Sequence, residues 1–240
     1  MNSYQKKSKV DLKNVYKSFG STDVLENINI ELKEGELVSI VGPSGCGKST
    51  IFNILTDLIK LDKGKAEING EVSYMYQKDL LLPYKTILDN VSLPLQINGV
   101  SKKKAREEAL SYFEVFDLQG YENSYPHELS GGMKQRANFL RTFICSNDIM
   151  LLDEPFGALD SITKRSIQEW FLHIRKKVNS TILLITHDID EAIMLSDRIY
   201  VLSNKPARIK EEFDLNEDIF NKEDLEKRAL LKEKIIELLR

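Results

Sequence analysis

Three groups of residues have the types and spacing that chemistry requires. Gly42-Pro43-Ser44-Gly45-Cys46-Gly47-Lys48-Ser49, followed by Thr50, fits G-x-x-x-x-G-K-[ST]. Glycines let successive backbone N–H groups curl around an anion, and a helix starting near Lys48 points its positive end at it. In such a loop Lys48 reaches β- and γ-phosphates and the Ser49 hydroxyl ligates Mg²⁺. About a hundred residues later, Ile149-Met-Leu-Leu152 delivers Asp153-Glu154. An apolar strand with two acids at its carboxyl end suits a nucleotide site, Asp153 holding Mg²⁺ and Glu154 polarising the attacking water. Neighbouring strand residues face opposite ways, which would give the two acids separate tasks. Leu129-Ser130-Gly131-Gly132-Met133-Lys134-Gln135 opens a helical pattern and forms a second anion nest. One nucleotide does not need two nests in one chain, so the second points to a phosphate bound by another copy, in a head-to-tail dimer. Cys46, inside the phosphate loop, is expected to be open to alkylation and protected by nucleotide.

The elements that must position these residues follow from periodicity. Val10-x-Leu12 with Val15, Ile28–Leu32 and Leu37–Val41 read as strands, the last buried on both faces. Ile51, Leu55, Leu58 and Ile59 predict a helix ended by Lys63-Gly64, and Glu71–Tyr76 a further strand. From Lys78 to Ser146 the pattern is helical, with Ser101 as N-cap of a helix carrying Ala105, Ala109, Leu110 and Phe113. Strands return at Asp148–Leu152, Thr181–Ile185 and Arg198–Leu202, separated by helical stretches, one of which puts Ile167, Phe171 and Ile174 on one face. Alternation of this kind predicts an α/β fold with a mainly parallel sheet and an inserted helical segment. Residues 211–240 hold 10 acidic and 6 basic side chains, and Leu225, Ala229, Ile235 and Leu239 predict an amphipathic helix packing on the core.

Composition bounds the function. The 240 residues carry 34 basic and 37 acidic side chains, a net charge of -3, which disfavours nucleic acid as a partner. No apolar run approaches the ~20 residues of a membrane span, and the basic N-terminus lacks the apolar stretch of a signal peptide. Two cysteines build no disulfide framework, so a reducing cytoplasm is expected. No internal repeat or low-complexity segment is visible.

Taken in order, these motifs resemble the nucleotide-binding subunits of ABC transporters, from about Val10 to Lys210. The resemblance implies a P-loop NTPase core with N-terminal antiparallel β strands, formed by 1–77 and 147–212. It also implies a helical signature subdomain at 78–146 and a C-terminal helical tail at 213–240. Phe19 of Lys17-Ser-Phe-Gly20 matches the aromatic that stacks on adenine, and base specificity should be loose. Gln77 matches the Q-loop glutamine, which senses Mg²⁺ and the γ-phosphate and couples to the membrane partner. Residues 129–135 match the signature, 149–154 Walker B, and Gly157-Ala-Leu-Asp160 the D-loop that crosses the dimer interface. Thr186-His187-Asp188 matches the switch histidine.

The resemblance thus implies ATP and Mg²⁺ as ligands, with Glu154, His187 and Gln77 catalytic and Ser49, Gln77 and Asp153 at the metal. The nucleotide is contacted by Phe19, 42–50, Ser130, Gly131, Gly132 and Asp160. It implies a homodimer, or a pseudo-dimer with a homologous subunit, on the inner face of the cell membrane. Integral permease subunits bind it there, and through them an extracytoplasmic solute-binding protein. Two departures stand out: Met133 replaces a Gln, and only about 29 residues separate Lys48 from Gln77. The wording of 79–91 and 126–136 resembles an importer branch for nitrate, sulfonate, taurine and pyrimidine precursors. Within it, Leu82, Pro83 and Tyr84 are expected to form a groove for the permease. A soluble ABC-type ATPase acting on DNA or ribosomes fits less well: there is one cassette, and no long coiled coil between the Walker motifs. An unrelated kinase or GTPase would lack the Ser-Gly-Gly signature and a switch histidine.

Overall fold

The structure, a computed structural model, describes residues 7–78, 80–146, 148–178, 180–215, 220 and 224–240. Asp79 and much of 213–224 therefore lie outside the described residues. Strands β1 (Ser8–Phe19) and β2 (Thr22–Lys33) form a long antiparallel hairpin, followed by β3 (Leu37–Val41) and α1 (Lys48–Leu55). Then come β4 (Lys63–Ile68), β5 (Val72–Met75) and the helices α2 (Ile87–Val91), α3 (Leu93–Ile97), α4 (Lys102–Leu110) and α5 (Gly131–Cys145). The chain returns through β6 (Ile149–Asp153), α6 (Ser161–Val178), β7 (Thr181–Thr186), α7 (Ile189–Leu195), β8 (Arg198–Leu202), β9 (Ile209–Asp214) and α8 (Leu225–Leu239).

Two sheets result. One is antiparallel, in the order β2-β1-β4; the other runs β5-β6-β7-β3-β8-β9, parallel except for β9. Strands β3, β6 and β7 are buried at every position because both faces are covered. Alternation sorts them: Met150, Leu152, Ile182 and Leu184 join α2, α4, α5 and α6 in one apolar cluster. Leu151, Leu183, Ile185, Val38 and Ile40 join α1 and the antiparallel sheet in a second. The first cluster runs without a break from the sheet into the helices of 78–146, through Phe113, Phe116, Phe139 and Phe143.

Several expected boundaries move. Helix α1 stops at Leu55, not Ile59: Asp57 takes a left-handed φ of 55°, the Leu58 and Ile59 amides fold back onto the Asn53 carbonyl, and Leu58 is exposed. A left-handed residue ends a helix as a glycine would, and Asp gives little warning of it. Lys63-Gly64 opens strand β4 on the edge of the hairpin instead of marking a break. The short stretch between Lys48 and Gln77 thus still holds two strands, one in each sheet. Ser101 sits at the N-cap of α4 but makes no side-chain cap bond; Leu110 is exposed, and Phe113 is buried beyond the helix end. On α8 the packed face is Leu231, Ile235, Leu238 and Leu239, whereas Leu225 and Ala229 face solvent. Six positions separate Ala229 from Ile235, about 240° around a helix, so the two cannot share a face.

Candidate nucleotide site

Strand β3 runs into a loop whose geometry depends on Gly47. Its φ is 126°, and an added Cβ would lie 2.9 Å from Val24 Cγ1 and 3.0 Å from Leu25 Cδ2. Only glycine permits both the dihedral and the close approach of β2. Lys48, the first residue of α1 and buried, donates through Nζ to the carbonyls of Gly42 (2.7 Å) and Pro43 (3.0 Å). Beside the loop lies a cleft of about 610 Å³. It is lined by Phe19, Ser44, Gly45, Gly47, Lys48, Ser49 and Thr50 at the loop, and by Gln77, Asp153, Glu154 and His187 opposite. Gly42, Pro43 and Cys46 do not line the cleft. Phe19 stands half exposed at the hairpin tip, with Lys17 Nζ 5.3 Å from its ring centre. Asp62 holds that tip by pairing with Lys17 (2.7 Å) and accepting from the Ser18 amide (2.7 Å).

Cys46 departs from expectation. It is 2% exposed, and burial pushes its thiol up, outweighing the charge of Lys48. A buried, protonated thiol is a poor nucleophile, so the expected alkylation sensitivity is withdrawn.

Asp153 ends β6 and is 9% exposed. Its Oδ2 accepts from Ser49 Oγ (3.1 Å) and Tyr74 Oη (3.0 Å). Burial pushes this carboxyl up from the usual carboxylate range, and the two hydroxyls pull back. Tyr74 was not singled out from sequence; it lies on β5, edge-on to Phe52 and stacked on Tyr76. Its period-2 position beside β6 is the only signal that could have marked it. An oxygen-only pair, one carboxylate and one hydroxyl, fits a magnesium site completed by phosphate and water. Among the described residues no group of three or more His, Cys, Asp and Glu gathers to bind a metal alone.

Glu154 lies just past the strand, with a left-handed φ of 46°. Its direction therefore comes from this turn and not from strand alternation, as the sequence suggested. The turn is held by Glu154 N donating to the Ile185 carbonyl (2.8 Å) and Gly157 N to the Glu154 carbonyl (3.1 Å). A non-glycine residue here is strained by about 1–3 kcal/mol. The turn carries its carboxylate between two partners: Gln77 Nε2 donates to Oε2 at 2.9 Å, and His187 Nδ1 lies 3.2 Å from Oε1. Gln77, Glu154 and His187, from three separate elements, thus converge at one end of the cleft.

Ser130, Gly131, Gly132 and Asp160 do not line this cleft. Ser130 caps α5, its Oγ accepting from the Met133 amide, while the Met133 side chain packs against the core. Gly131 is exposed, but Gly132 is buried: a Cβ there would sit 3.2 Å from Thr163 Cγ2 and 3.3 Å from Ile167 Cδ1. At Gly132 helix α6 therefore packs close, and a side chain there would crowd Thr163 and Ile167. Asp160 caps α6, accepting from the amides of Ile162 and Thr163.

Comparison with known proteins agrees with this geometry. Residues 25–157 match the family described as ABC transporter. The formylaminopyrimidine import ATP-binding protein of Halalkalibacterium halodurans is 48% identical over 188 residues, 78% of this chain and 76% of that protein. The aliphatic sulfonates import ATP-binding protein of Shouchella clausii is 43% identical, covering 86% of this chain and 81% of that one. A dimeric bacterial ABC transporter cassette superposes with a TM-score of 0.72 at 33% identity, over 86% of this chain and 99% of that chain. The same cassette is also known in a post-hydrolysis state bound to ADP and Pi. The chain belongs to the ABC transporter family, as an ATP-binding, ATP-hydrolysing cassette.

Proposed function

We propose that this chain is the ATPase subunit of an import complex, driving uptake of a small solute through a separate membrane permease. The observation that carries the reading is Glu154, held between Gln77 and His187 at the end of a cleft that begins at a phosphate loop. Phe19 stacks on the adenine, and the loop amides with Lys48 bind the phosphates. Ser49, Asp153 and Gln77 would hold Mg²⁺, which would supply neutralising charge to the bound polyphosphate. Glu154 accepts a hydrogen bond from the attacking water and orients it, Gln77 keeps the carboxylate aimed, and His187 contacts the γ-phosphate.

Because Ser130, Gly131 and Asp160 lie outside the cleft of their own chain, we assign them to the nucleotide of a second copy, in a head-to-tail dimer. Relatives named for formylaminopyrimidine, aliphatic sulfonate and nitrate import support uptake of a small polar solute. The solute itself is selected by the permease and its binding protein. Among the described residues no helix is long and apolar enough to cross a membrane. Contact with the permease therefore falls to a surface. Buried Asn90 pins the loop after Gln77, accepting from the Leu82 amide at 2.6 Å and donating to the carbonyls of Leu82, Lys85 and Thr86. That leaves Leu82 half-buried and Pro83 and Tyr84 exposed on a rigid support, a fit for a permease element at the inner face of the membrane.

The decisive variant is Glu154→Gln. Hydrolysis should fall by about 10²–10⁴-fold, while ATP binding survives and traps a dimer visible by size-exclusion chromatography. A variant that turns over normally as a monomer would contradict the proposal. So would failure of the wild-type chain to co-purify with any multi-span protein.

A further inference from the structure

The cleft has one cation besides Lys48 that no motif marks. Lys205 lines it together with Phe19 and Val24. It belongs to the loop joining β8 to β9, and two sets of contacts fix that loop in place. The Ala207 amide donates to the Val24 carbonyl (2.8 Å), the Glu26 amide to the Ala207 carbonyl (2.9 Å), and Ala207 is fully buried. Within the loop, Ser203 N donates to the Arg208 carbonyl (3.0 Å), and Arg208 N to Ser203 Oγ (2.9 Å). Arg208 also pairs with Glu26 at 2.6 Å, tying the loop to β2 a second time. The start of the loop abuts the phosphate loop as well: a Cβ on Gly42 would lie 3.0 Å from Leu202 Cβ. The lysine is therefore carried on a braced support between the hairpin tip and the phosphate loop.

The charge of Lys205 has no local use. Among the described residues it has no carboxylate partner, and its field reaches Cys46 inside the loop. Arg208, three residues on, is by contrast paired. An ammonium that is exposed, unpaired and part of the lining of a cleft beside a glycine-rich anion loop is placed to meet an anion there. Through Ala207 the loop is bonded to β2, next to the hairpin tip that carries Phe19, so the nearest part of a bound nucleotide is the base, the ribose and the first phosphate, and only the phosphate is charged. We propose that Lys205 is a nucleotide-binding residue that grips the α-phosphate end of the polyphosphate, complementing Lys48 at the β- and γ-phosphates. This rests on the reading of the cleft as the ATP site.

The test is calorimetric titration of the full chain with ADP and with ATP, both without Mg²⁺, at low and high salt. Lys205→Ala should weaken both nucleotides by a similar factor of about ten, Lys205→Gln should match it, and Lys205→Arg should largely restore binding. The difference from wild type should narrow as salt is raised, because the contact is ionic. Unchanged ADP affinity in both Lys205→Ala and Lys205→Gln would overturn the assignment. So would a loss confined to ATP, which would place the lysine at the γ-phosphate, or a loss indifferent to salt, which would point to the base. A wild-type chain that binds neither nucleotide would instead defeat the reading of the cleft itself.

Discussion

At the scale of single residues, the site depends on partners that make a motif work. Asp153 was legible because an apolar run ends in two acids, but its environment was not. It is buried enough to raise its pKa, and Tyr74 and Ser49 hold it down by donating to one oxygen. Tyr74→Phe removes one of those donors and so moves Asp153 higher still. Because the ionised carboxylate is the metal-binding form, the acid limb of the pH–ATPase profile should shift to higher pH. More Mg²⁺ should be needed for half-maximal activity, at a stability cost of about 1 kcal/mol. An unshifted acid limb would mean that the tyrosine hydroxyl is not used. Cys46 teaches the opposite lesson: its place in the loop suggested reactivity, and only burial, which the motif does not encode, removes it.

At the scale of elements, helices α6 and α7 are joined by Lys164. Its Nζ reaches Asp188 Oδ2 at 2.7 Å and Glu191 Oε2 at 3.0 Å, and Gln168 donates to the same Glu191 oxygen. Asp160 heads one helix, and Asp188, which caps the other, adjoins His187. Burial pushes the Asp188 carboxyl up, but pairing with Lys164 and with the Glu191 amide outweighs it and leaves it below the usual range. Its contribution is therefore present above the ordinary carboxylate pKa and is lost as pH falls through the depressed folded value. Glu191, raised chiefly by burial, works in the other direction: its burden grows as pH rises past the ordinary value of 4.5. Lys164→Met removes the cation from both acids. We expect it to cost about 1–3 kcal/mol near neutral pH, measured by urea unfolding, with the deficit shrinking as the acids protonate. A deficit independent of pH would show that the methylene stem, not the charge, matters.

At the scale of the whole molecule, one chain holds the phosphate loop and the Ser-Gly-Gly helix start but does not bring them to one cleft. A head-to-tail dimer predicts complementation. Lys48→Ala and Ser130→Arg chains should each be inactive alone. Mixed equally, they form heterodimers with one intact site, recovering about a quarter of wild-type turnover if the sites act independently. No recovery would mean that each chain completes its own site.

The parts of the fold that were legible are those governed by local physics. The strands β3, β6 and β7 are continuous apolar runs because both faces are covered, and the loop glycines stand where only glycine fits. Glu154 was legible as an acid at the end of an apolar run, whereas Gln77 and His187 were marked only by the family resemblance. Where the period was read too far, as at Leu58 and Ile59 or Leu225 and Ala229, a left-handed Asp57 or a six-residue gap decided against it. The sequence by itself determined the chemistry available: a phosphate loop, a carboxylate pair and a second nest, because each depends on residue types within a few positions. Only the tertiary structure decided which of them meet. The left-handed turn at Glu154, the hydroxyl of Tyr74 and the loop carrying Lys205 all act between segments tens to over a hundred residues apart, and no local pattern encodes a distance across a sheet.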